Sequence, residues 1–186
     1  MRRTLASKIV VAALACAAVA AAAPATAFEL RSSDVAEGST LTKAQVFSGF
    51  GCTGENISPA LQWSGAPTGT KSFALTVYDP DAPTGSGWWH WVVYDLPAGT
   101  TSLPRGIGKS ASLPAGAREG RNDFGTLDFG GACPPPGDAP HHYIFTVYAL
   151  KVDKLGVPAD ATAALIGFNI KANSLGSATL NARYGR

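Results

Sequence analysis

The chain has 186 residues, 46% of them hydrophobic, and a formal net charge of +2 at pH 7. Three of its 15 basic side chains (Arg2, Arg3 and Lys8) precede residue 28, so residues 28–186 have 12 basic and 13 acidic side chains, a net charge of −1. This balance argues against a nucleic-acid binder or a protein that binds an anionic membrane surface. Residues 28–186 suit a single domain with a sizeable core.

The N-terminal segment has the pattern of a cleaved signal peptide. A basic start is followed by an almost wholly apolar run over residues 9–23, and Ala25-Thr-Ala27 fits the small-x-small cleavage rule. We therefore expect residues 1–27 to be removed and the protein to be exported, periplasmic or secreted. The alternative, a lipoprotein acylated at Cys16, is disfavoured because Ala13 stands where a larger aliphatic residue is needed. The run is too short and alanine-rich for an integral membrane span.

Two cysteines, Cys52 and Cys133, remain after cleavage, and both lie in stretches rich in turn-forming residues. An even number of cysteines in an exported protein predicts a disulfide. Two separate buried thiols remain the alternative.

Strands dominate the predicted secondary structure. Residues 28–32 and 61–63 predict short strands, and residues 71–78, 89–96 and 143–150 predict longer ones because apolar, aromatic and β-branched residues are concentrated there. Residues 98–140 predict a long loop of functional importance. The pattern favours a mainly β fold, an antiparallel sandwich with a few short helices near the C-terminus.

The last part of the chain predicts one helix. Asp160 is the expected N-cap of a helix over residues 161–171, with Ala164, Leu165 and Phe168 on its buried stripe. Residues 175–186 remain ambiguous between helix and strand.

Residues 76–91 (TVYDPDAPTGSGWWHW) are the centre of the functional prediction. Proline at 80 and 83 predicts that the strand stops near Tyr78, and the spacing of Asp79 and Asp81 predicts that both carboxylates point to one side. On the return strand, alternation places Trp88 and His90 on one face and Trp89 and Trp91 on the other. Two carboxylates beside a histidine favour the charged form of the imidazole. A charged imidazole suits anion binding or acid–base chemistry.

His141 and His142 precede the strand over residues 143–150, so only one of them is expected to share a pocket with His90. No metal-ligand spacing, nucleophile elbow or nucleotide-binding glycine pattern is present. We therefore predict no metal site, no cofactor and no enzymatic activity. Aromatic walls, imidazoles and glycine N–H groups suit a small polar anion, and the ring faces suit an ammonium.

Four segments together resemble the phosphatidylethanolamine-binding protein (PEBP) family, also called Raf-kinase-inhibitor-like proteins. They are residues 79–83 (DPDAP), 88–91 (WWHW), 120–125 (GRNDFG) and 131–143 (GACPPPGDAPHHY). The tryptophans and the cysteine resemble its bacterial YbhB/YbcL branch, and the likeness covers roughly residues 30–186. Trp89 and Cys133 depart from eukaryotic members, which have a histidine and a glycine at these places.

The resemblance implies a large antiparallel sheet packed on a smaller one, with an anion pocket for phosphate or a phospholipid head group. Together with Trp88 from the strand argument, the expected pocket residues are Asp79, Asp81, Pro83, Trp88, His90, Gly131, Cys133, Pro135, His141 and Tyr143. The resemblance also implies a cis Ala82–Pro83 bond. The alternative function is an extracytoplasmic interaction or inhibitor protein acting on a protein partner, and a homodimer is left open.

Overall fold

The computed structural model of the protein describes residues 27–107 and 112–186. Residues 1–26 of the predicted signal peptide lie outside the described residues. The strands are β1 (Glu29–Arg31), β2 (Ser39–Thr40), β3 (Ser48–Gly49), β4 (Cys52–Thr53), β5 (Leu61–Ser64), β6 (Ser72–Asp79), β7 (Trp88–Pro97), β8 (Ser102–Leu103), β9 (Arg118–Glu119), β10 (His141–Leu150) and β11 (Ser174–Tyr184). A 3₁₀ turn spans Lys43–Gln45 and an α-helix, α1, spans Ala163–Asn173.

Three sheets form from these strands. The largest has six strands in the order β2-β11-β10-β6-β7-β9, the second has the order β1-β5-β8, and β3 pairs with β4. The pairings are antiparallel except that of β2 with β11. The predicted fold class, a mainly β structure with a large and a smaller antiparallel sheet, is therefore confirmed.

The large sheet is buried on both faces, which explains why its central strands are apolar throughout. Phe73, Leu75 and Val77 of β6 point into a core shared with Leu61 and Trp63 of the small sheet. The opposite face of the sheet packs against α1 in a second apolar cluster that includes Ala74, Val92, Ile166 and Ile170. Residues at alternate positions of one strand thus stabilise two different layers.

The helix exists where it was expected, but its cap and buried face were predicted wrongly. The side chain of Thr162, not Asp160, accepts the hydrogen bond from the Leu165 amide and begins the helix. Ile166 and Ile170 are fully buried, whereas Leu165 and Phe168 are exposed. The helix lies close to the sheet at Gly167, where an added Cβ would be 2.9 Å from the Trp89 ring. This position of α1 therefore requires a residue without a side chain.

Residues 174–184, which the sequence left ambiguous, form β11. It pairs with β10 along its whole length, from Leu150 opposite Ser174 to His141 opposite Tyr184. No helix among the described residues is long and apolar enough to cross a membrane.

A bulge in β7 changes the predicted facing of its tryptophans. Val77 pairs with Trp91 and Tyr78 with Trp89, so His90 has no partner in the register. Trp89 consequently packs on the helix side, while Trp91 is in the core between the sheets. The prediction that these two indoles share a face was wrong because strict alternation does not survive a bulge.

Candidate functional site

A cavity of about 210 Å³ opens where β6 ends and β7 and β10 begin. Antiparallel pairing brings these three strand ends to one edge of the large sheet. The lining includes Asp79, Pro83, Trp88, His90, Cys133, Pro135, His141 and Tyr143, all of which were predicted from the sequence, and also Phe50, Ala82, Thr84, Phe124 and Pro134, which were not.

The other two predicted residues, Asp81 and Gly131, do not line the cavity. The Asp81 carboxylate turns outward and accepts hydrogen bonds from the His142 amide and Nδ1, each at 2.7 Å. The His142 amide and imidazole lower the pKa of this carboxyl, against the effect of burial. The Gly131 N–H donates to Asn56 Oδ1 at 2.6 Å. Both residues support the wall of the cavity from outside it.

Asp79 is fully engaged within the protein. Its Oδ2 accepts a 2.7 Å hydrogen bond from His141 Nδ1, and both side chains are only 4% exposed. Its Oδ1 accepts from the amides of Asp81 and Ala82 at 2.8 and 3.1 Å. The carboxylate therefore orients His141 and fixes the start of the turn, rather than pairing with His90.

The same turn corrects the expected cis bond. No peptide bond among the described residues is cis, so Ala82–Pro83 is trans. The chain reverses instead through the two amides bound by Asp79 and through Gly85 and Gly87, whose φ values of 78° and 69° suit glycine.

His90 is a buried ionisable group of the cavity, at 3% exposure. Its Nδ1 lies 2.8 Å from the Gly130 carbonyl oxygen and 3.1 Å from that of Gly131. Carbonyls only accept, so Nδ1 carries a proton, and in the neutral form of the ring the lone pair is on Nε2. Burial lowers the pKa of His90 although the Gly130 carbonyl and Asp79 raise it. Burial thus opposes the charged, donating His90 that was expected from the sequence, and its charge state stays a prediction.

The backbone amides of residues 130–132, which include two of the glycine N–H groups expected to suit an anion, are also occupied. The Gly130 amide donates to the His90 carbonyl at 2.9 Å, and the Ala132 amide donates to the Gln45 carbonyl at 3.0 Å. Since the Gly131 amide is bonded to Asn56, this loop acts through its carbonyls, which hold the His90 ring.

Two side-chain donors remain without partners at the cavity. The Tyr143 hydroxyl and the Trp88 indole N–H are buried and donate to no partner, and His90 Nε2 is likewise unpaired; the Cys133 backbone lies near the Tyr143 oxygen and lowers the pKa of that hydroxyl. Burial, followed by the charge of Asp79, raises the pKa of Tyr143 far above its usual range, so its hydroxyl stays protonated. Three residues that line the cavity therefore have a buried polar side-chain atom without a partner.

Aromatic rings that sequence reasoning missed form the outer wall. Phe124 stacks on Phe47 with ring centroids 4.1 Å apart. Phe50 contacts both rings, has a φ of 49° and is 70% exposed. An aromatic residue between two glycines, next to a cysteine, was the signal that could have identified Phe50.

The predicted disulfide between Cys52 and Cys133 is present, with an S–S distance of 2.05 Å. It ties the loop bearing Phe50 to the turn at Pro134. The Arg186 guanidinium strengthens this connection by donating to the carbonyls of Phe50 and Pro134, at 3.3 and 2.7 Å. Within residues 27–107 and 112–186, no three His, Cys, Asp or Glu side chains are grouped to hold a metal ion.

Comparison with known proteins identifies related chains. A family model described as phosphatidylethanolamine-binding protein matches residues 31–185. Escherichia coli YbcL is 51% identical over 87% of this chain and 90% of its own, and E. coli YbhB is 49% identical over 84% and 99%. A crystal structure of E. coli YbcL superposes with a TM-score of 0.83 at 54% identity, covering 86% of this chain and 98% of that one.

Proposed function

Since the chain belongs to the phosphatidylethanolamine-binding protein family, we propose that it is an exported binding protein whose cavity holds a phosphate-type group, free or on a phospholipid head group. The observation on which this proposal rests is the set of unpaired polar atoms on Trp88, His90 and Tyr143. An unpaired buried polar group costs about 1–3 kcal/mol. A ligand that pairs all three recovers that cost.

The lining favours a small group with a polar centre. Phosphate oxygens match the Tyr143 hydroxyl and the Trp88 N–H in both number and chemistry. The faces of Phe50 and Phe124 suit the ammonium of an ethanolamine head group through cation–π attraction. This division of roles also agrees with a lining that contains no lysine or arginine.

We propose binding rather than catalysis because three reactive groups of the cavity, on Asp79, Cys133 and Thr84, are already engaged. The Asp79 carboxylate is held by His141 and two amides. The Cys133 sulfur belongs to a disulfide, and the Thr84 hydroxyl donates to the Gly87 carbonyl at 2.5 Å. An activated nucleophile needs a free side chain beside a base.

A second function, docking of a partner protein over the cavity mouth, is favoured by one observation. Phe50 is 70% exposed although it borders the cavity, and large exposed aromatic residues mark interaction sites. In that case, a small phosphate compound bound in the cavity would displace the partner.

Export remains part of the proposal, supported by the N-terminal pattern and the disulfide, which is typical of oxidising compartments. N-terminal sequencing of the secreted protein tests it. We expect a start at Phe28, and another start would contradict the proposed cleavage site.

Calorimetry with phosphoethanolamine tests the binding function. Tyr143→Phe removes only the hydroxyl, and we expect an affinity about 10- to 100-fold lower, the range for a lost hydrogen bond to a charged group. His142→Ala, whose imidazole faces Asp81 outside the cavity, is the control and should bind as the wild type does. Equal affinities for the wild type and Tyr143→Phe would contradict the proposed site.

A further inference from the structure

The outer face of α1 carries apolar side chains that project into solvent. Leu165 and Phe168 are 43% and 71% exposed, and Leu175, at the start of β11, is 41% exposed. Ala164 and Ala172 lie on the same side of the helix as Phe168 and are exposed as well. Large exposed apolar side chains that are grouped on one face mark an interaction surface.

Lysines border this apolar face at the C-terminal end of α1. Lys171 follows Phe168 by three residues, so the two side chains are neighbours on the helix surface. The loop after β10 reaches the same end of the helix, because the Lys151 amide donates to the Asn173 carbonyl at 3.0 Å. This loop also carries Lys154, which is exposed.

A fourth lysine lies at the start of the neighbouring strand. The Lys71 amide donates to the Leu150 carbonyl at 2.8 Å, which places Lys71 beside Lys151 at one edge of the large sheet. Leu175 approaches the turn before Lys71, where a Cβ on Gly69 would lie 3.9 Å from the Leu175 Cδ1. The apolar face and the lysines are therefore continuous. This surface, the helix-end patch, consists of the outer face of α1, Leu175, Lys71, Lys151, Lys154 and Lys171.

The positive charge of the helix-end patch is not neutralised by nearby carboxylates. Among the residues that the structure describes, none of the four lysines forms an ion pair. The acidic residues close to it are Asp153, which is exposed, and Asp95, which is buried and accepts from the Leu155 amide at 2.8 Å. Without the four lysines and Asp153, residues 28–186 have 8 basic and 12 acidic side chains, a net charge of −4. The near-zero net charge thus conceals a cationic end.

From this arrangement we propose that the helix-end patch docks the protein on an anionic phospholipid surface. Phe168, Leu165 and Leu175 enter the boundary between head groups and acyl chains, and the lysines lie among the lipid phosphates. The overall charge balance, from which the sequence argued against such binding, does not describe this local patch.

The composition of the patch favours lipid over a protein partner. All four of its cations are lysines, which protein–protein interfaces contain less often than the rest of the surface, whereas arginine is enriched in them. A lysine ammonium is a flexible point charge that suits a mobile layer of phosphates. A second copy that docked through the same patch would bring four lysines against four.

The helix-end patch and the cavity lie at opposite ends of the large sheet. β10 begins at His141, which lines the cavity, and ends at Leu150, next to Lys151. Its 10 residues span about 30 Å at roughly 3.3 Å per residue. A docked protein therefore leaves the cavity open, and lipid docking does not depend on the proposed function of the cavity.

Vesicle flotation with the exported protein tests the inference. One set of vesicles is made of phosphatidylcholine, and the other contains equal parts of phosphatidylcholine and the anionic phosphatidylglycerol. We expect binding to the anionic vesicles that weakens as salt is added, because salt screens exposed charges, and little binding to the neutral vesicles. All variants have the same N-terminus as the wild type, so a difference between them reports on the patch.

Lysine variants measure the electrostatic part of docking. Lys171→Gln should bind the anionic vesicles about fivefold more weakly, and the triple variant Lys71→Gln/Lys151→Gln/Lys171→Gln about 100-fold more weakly, since each lysine near an anionic surface contributes a factor of about five. Lys43→Gln removes an exposed lysine outside the patch and should bind as the wild type does.

A pair of phenylalanine variants measures the apolar part. Phe168→Gln should bind the anionic vesicles about tenfold more weakly, because burying an aromatic ring in lipid is favourable. Phe50→Gln is the matched control: its ring is 70% exposed, against 71% for Phe168, but borders the cavity. Phe50→Gln should keep the wild-type affinity for the vesicles.

Three results would overturn the inference: no binding to anionic vesicles, equal binding to both kinds of vesicle, or wild-type binding by both Phe168→Gln and the triple lysine variant. A loss caused by Phe50→Gln and not by Phe168→Gln would place the lipid contact at the cavity mouth and would overturn it too. Phosphoethanolamine calorimetry separates this inference from the proposed function. The patch variants should bind phosphoethanolamine as the wild type does, and a wild type that binds vesicles but no phosphoethanolamine would contradict the proposed function alone.

Discussion

Asn56 is a buried residue, 7% exposed, that holds the loop behind His90. Its Nδ2 donates to the Phe129 carbonyl at 3.0 Å, and its Oδ1 accepts from the Gly131 amide at 2.6 Å. These bonds lie on either side of Gly130, whose carbonyl accepts from His90 Nδ1. Replacing Asn56 should therefore destabilise the fold and also allow the His90 ring to adopt both tautomers.

The size of the effect follows from these contacts. Asn56→Gly leaves the Phe129 carbonyl and the Gly131 amide unpaired, at about 1–3 kcal/mol each, so we expect the unfolding free energy to fall by about 2–6 kcal/mol. Asn56 has a φ of 53°, which glycine adopts without steric penalty. Asn56→Ala should lose about 1–2 kcal/mol more, because its Cβ disfavours this conformation.

Urea unfolding of the wild type, Asn56→Gly and Asn56→Ala measures the stability effect, and ¹⁵N NMR of the His90 ring reports its tautomer. In the wild type we expect a protonated Nδ1 and an unprotonated Nε2. In Asn56→Gly we expect a mixture of tautomers and weaker phosphoethanolamine binding. Unfolding free energies within about 1 kcal/mol of the wild type, with an unchanged tautomer, would refute this account.

Three further outcomes are expected. Cys52→Ser/Cys133→Ser should lower the unfolding free energy in urea by about 4–5 kcal/mol, from loop closure over a separation of 81 residues; a change below about 1 kcal/mol would contradict it. Because burial lowers the pKa of His90, the unfolded state binds more protons just below pH 6.5. Wild-type stability should therefore fall with decreasing pH in that window, and His90→Gln should show less of this loss. Thr162→Ala should lower the unfolding free energy by about 1 kcal/mol because the helix loses its N-cap, whereas Asp160→Ala should change it little. Equal shifts of the melting temperature in the two variants would show that Thr162 is not the cap.

Most of the fold was predictable from the sequence because its signals are local. Alternating apolar residues over 71–78 and β-branched and aromatic residues over 143–150 predicted strands that the structure contains as β6 and β10. The motif at residues 79–83 marked the end of β6, and antiparallel pairing then brought it close to His90 and His141. Strand order explains why Asp79, His90 and His141 meet, whereas lining residues such as Cys133 and Pro135 were expected only because of the family resemblance.

What failed depended on contacts between distant segments. The sequence did not show which imidazole the Asp79 carboxylate contacts. Only the tertiary structure shows that it bonds to His141. The buried face of α1 is also a helical stripe, Ala163, Ile166, Gly167 and Ile170, and only the close approach of the Trp89 ring to Gly167 shows which stripe meets the sheet. The role of Phe50 depends on the disulfide and on Arg186, which lie far from it in the sequence.

The same contacts leave His90 without a carboxylate partner. The carboxylates of Asp79 and Asp81 each face the Nδ1 of another histidine, so neither is bonded to His90 directly. The carbonyls of Gly130 and Gly131 fix the His90 proton on the side away from the cavity. Under the proposed function, a ligand would be recognised by the direction of its hydrogen bonds rather than by net charge. This agrees with residues 28–186, whose 12 basic and 13 acidic side chains nearly balance.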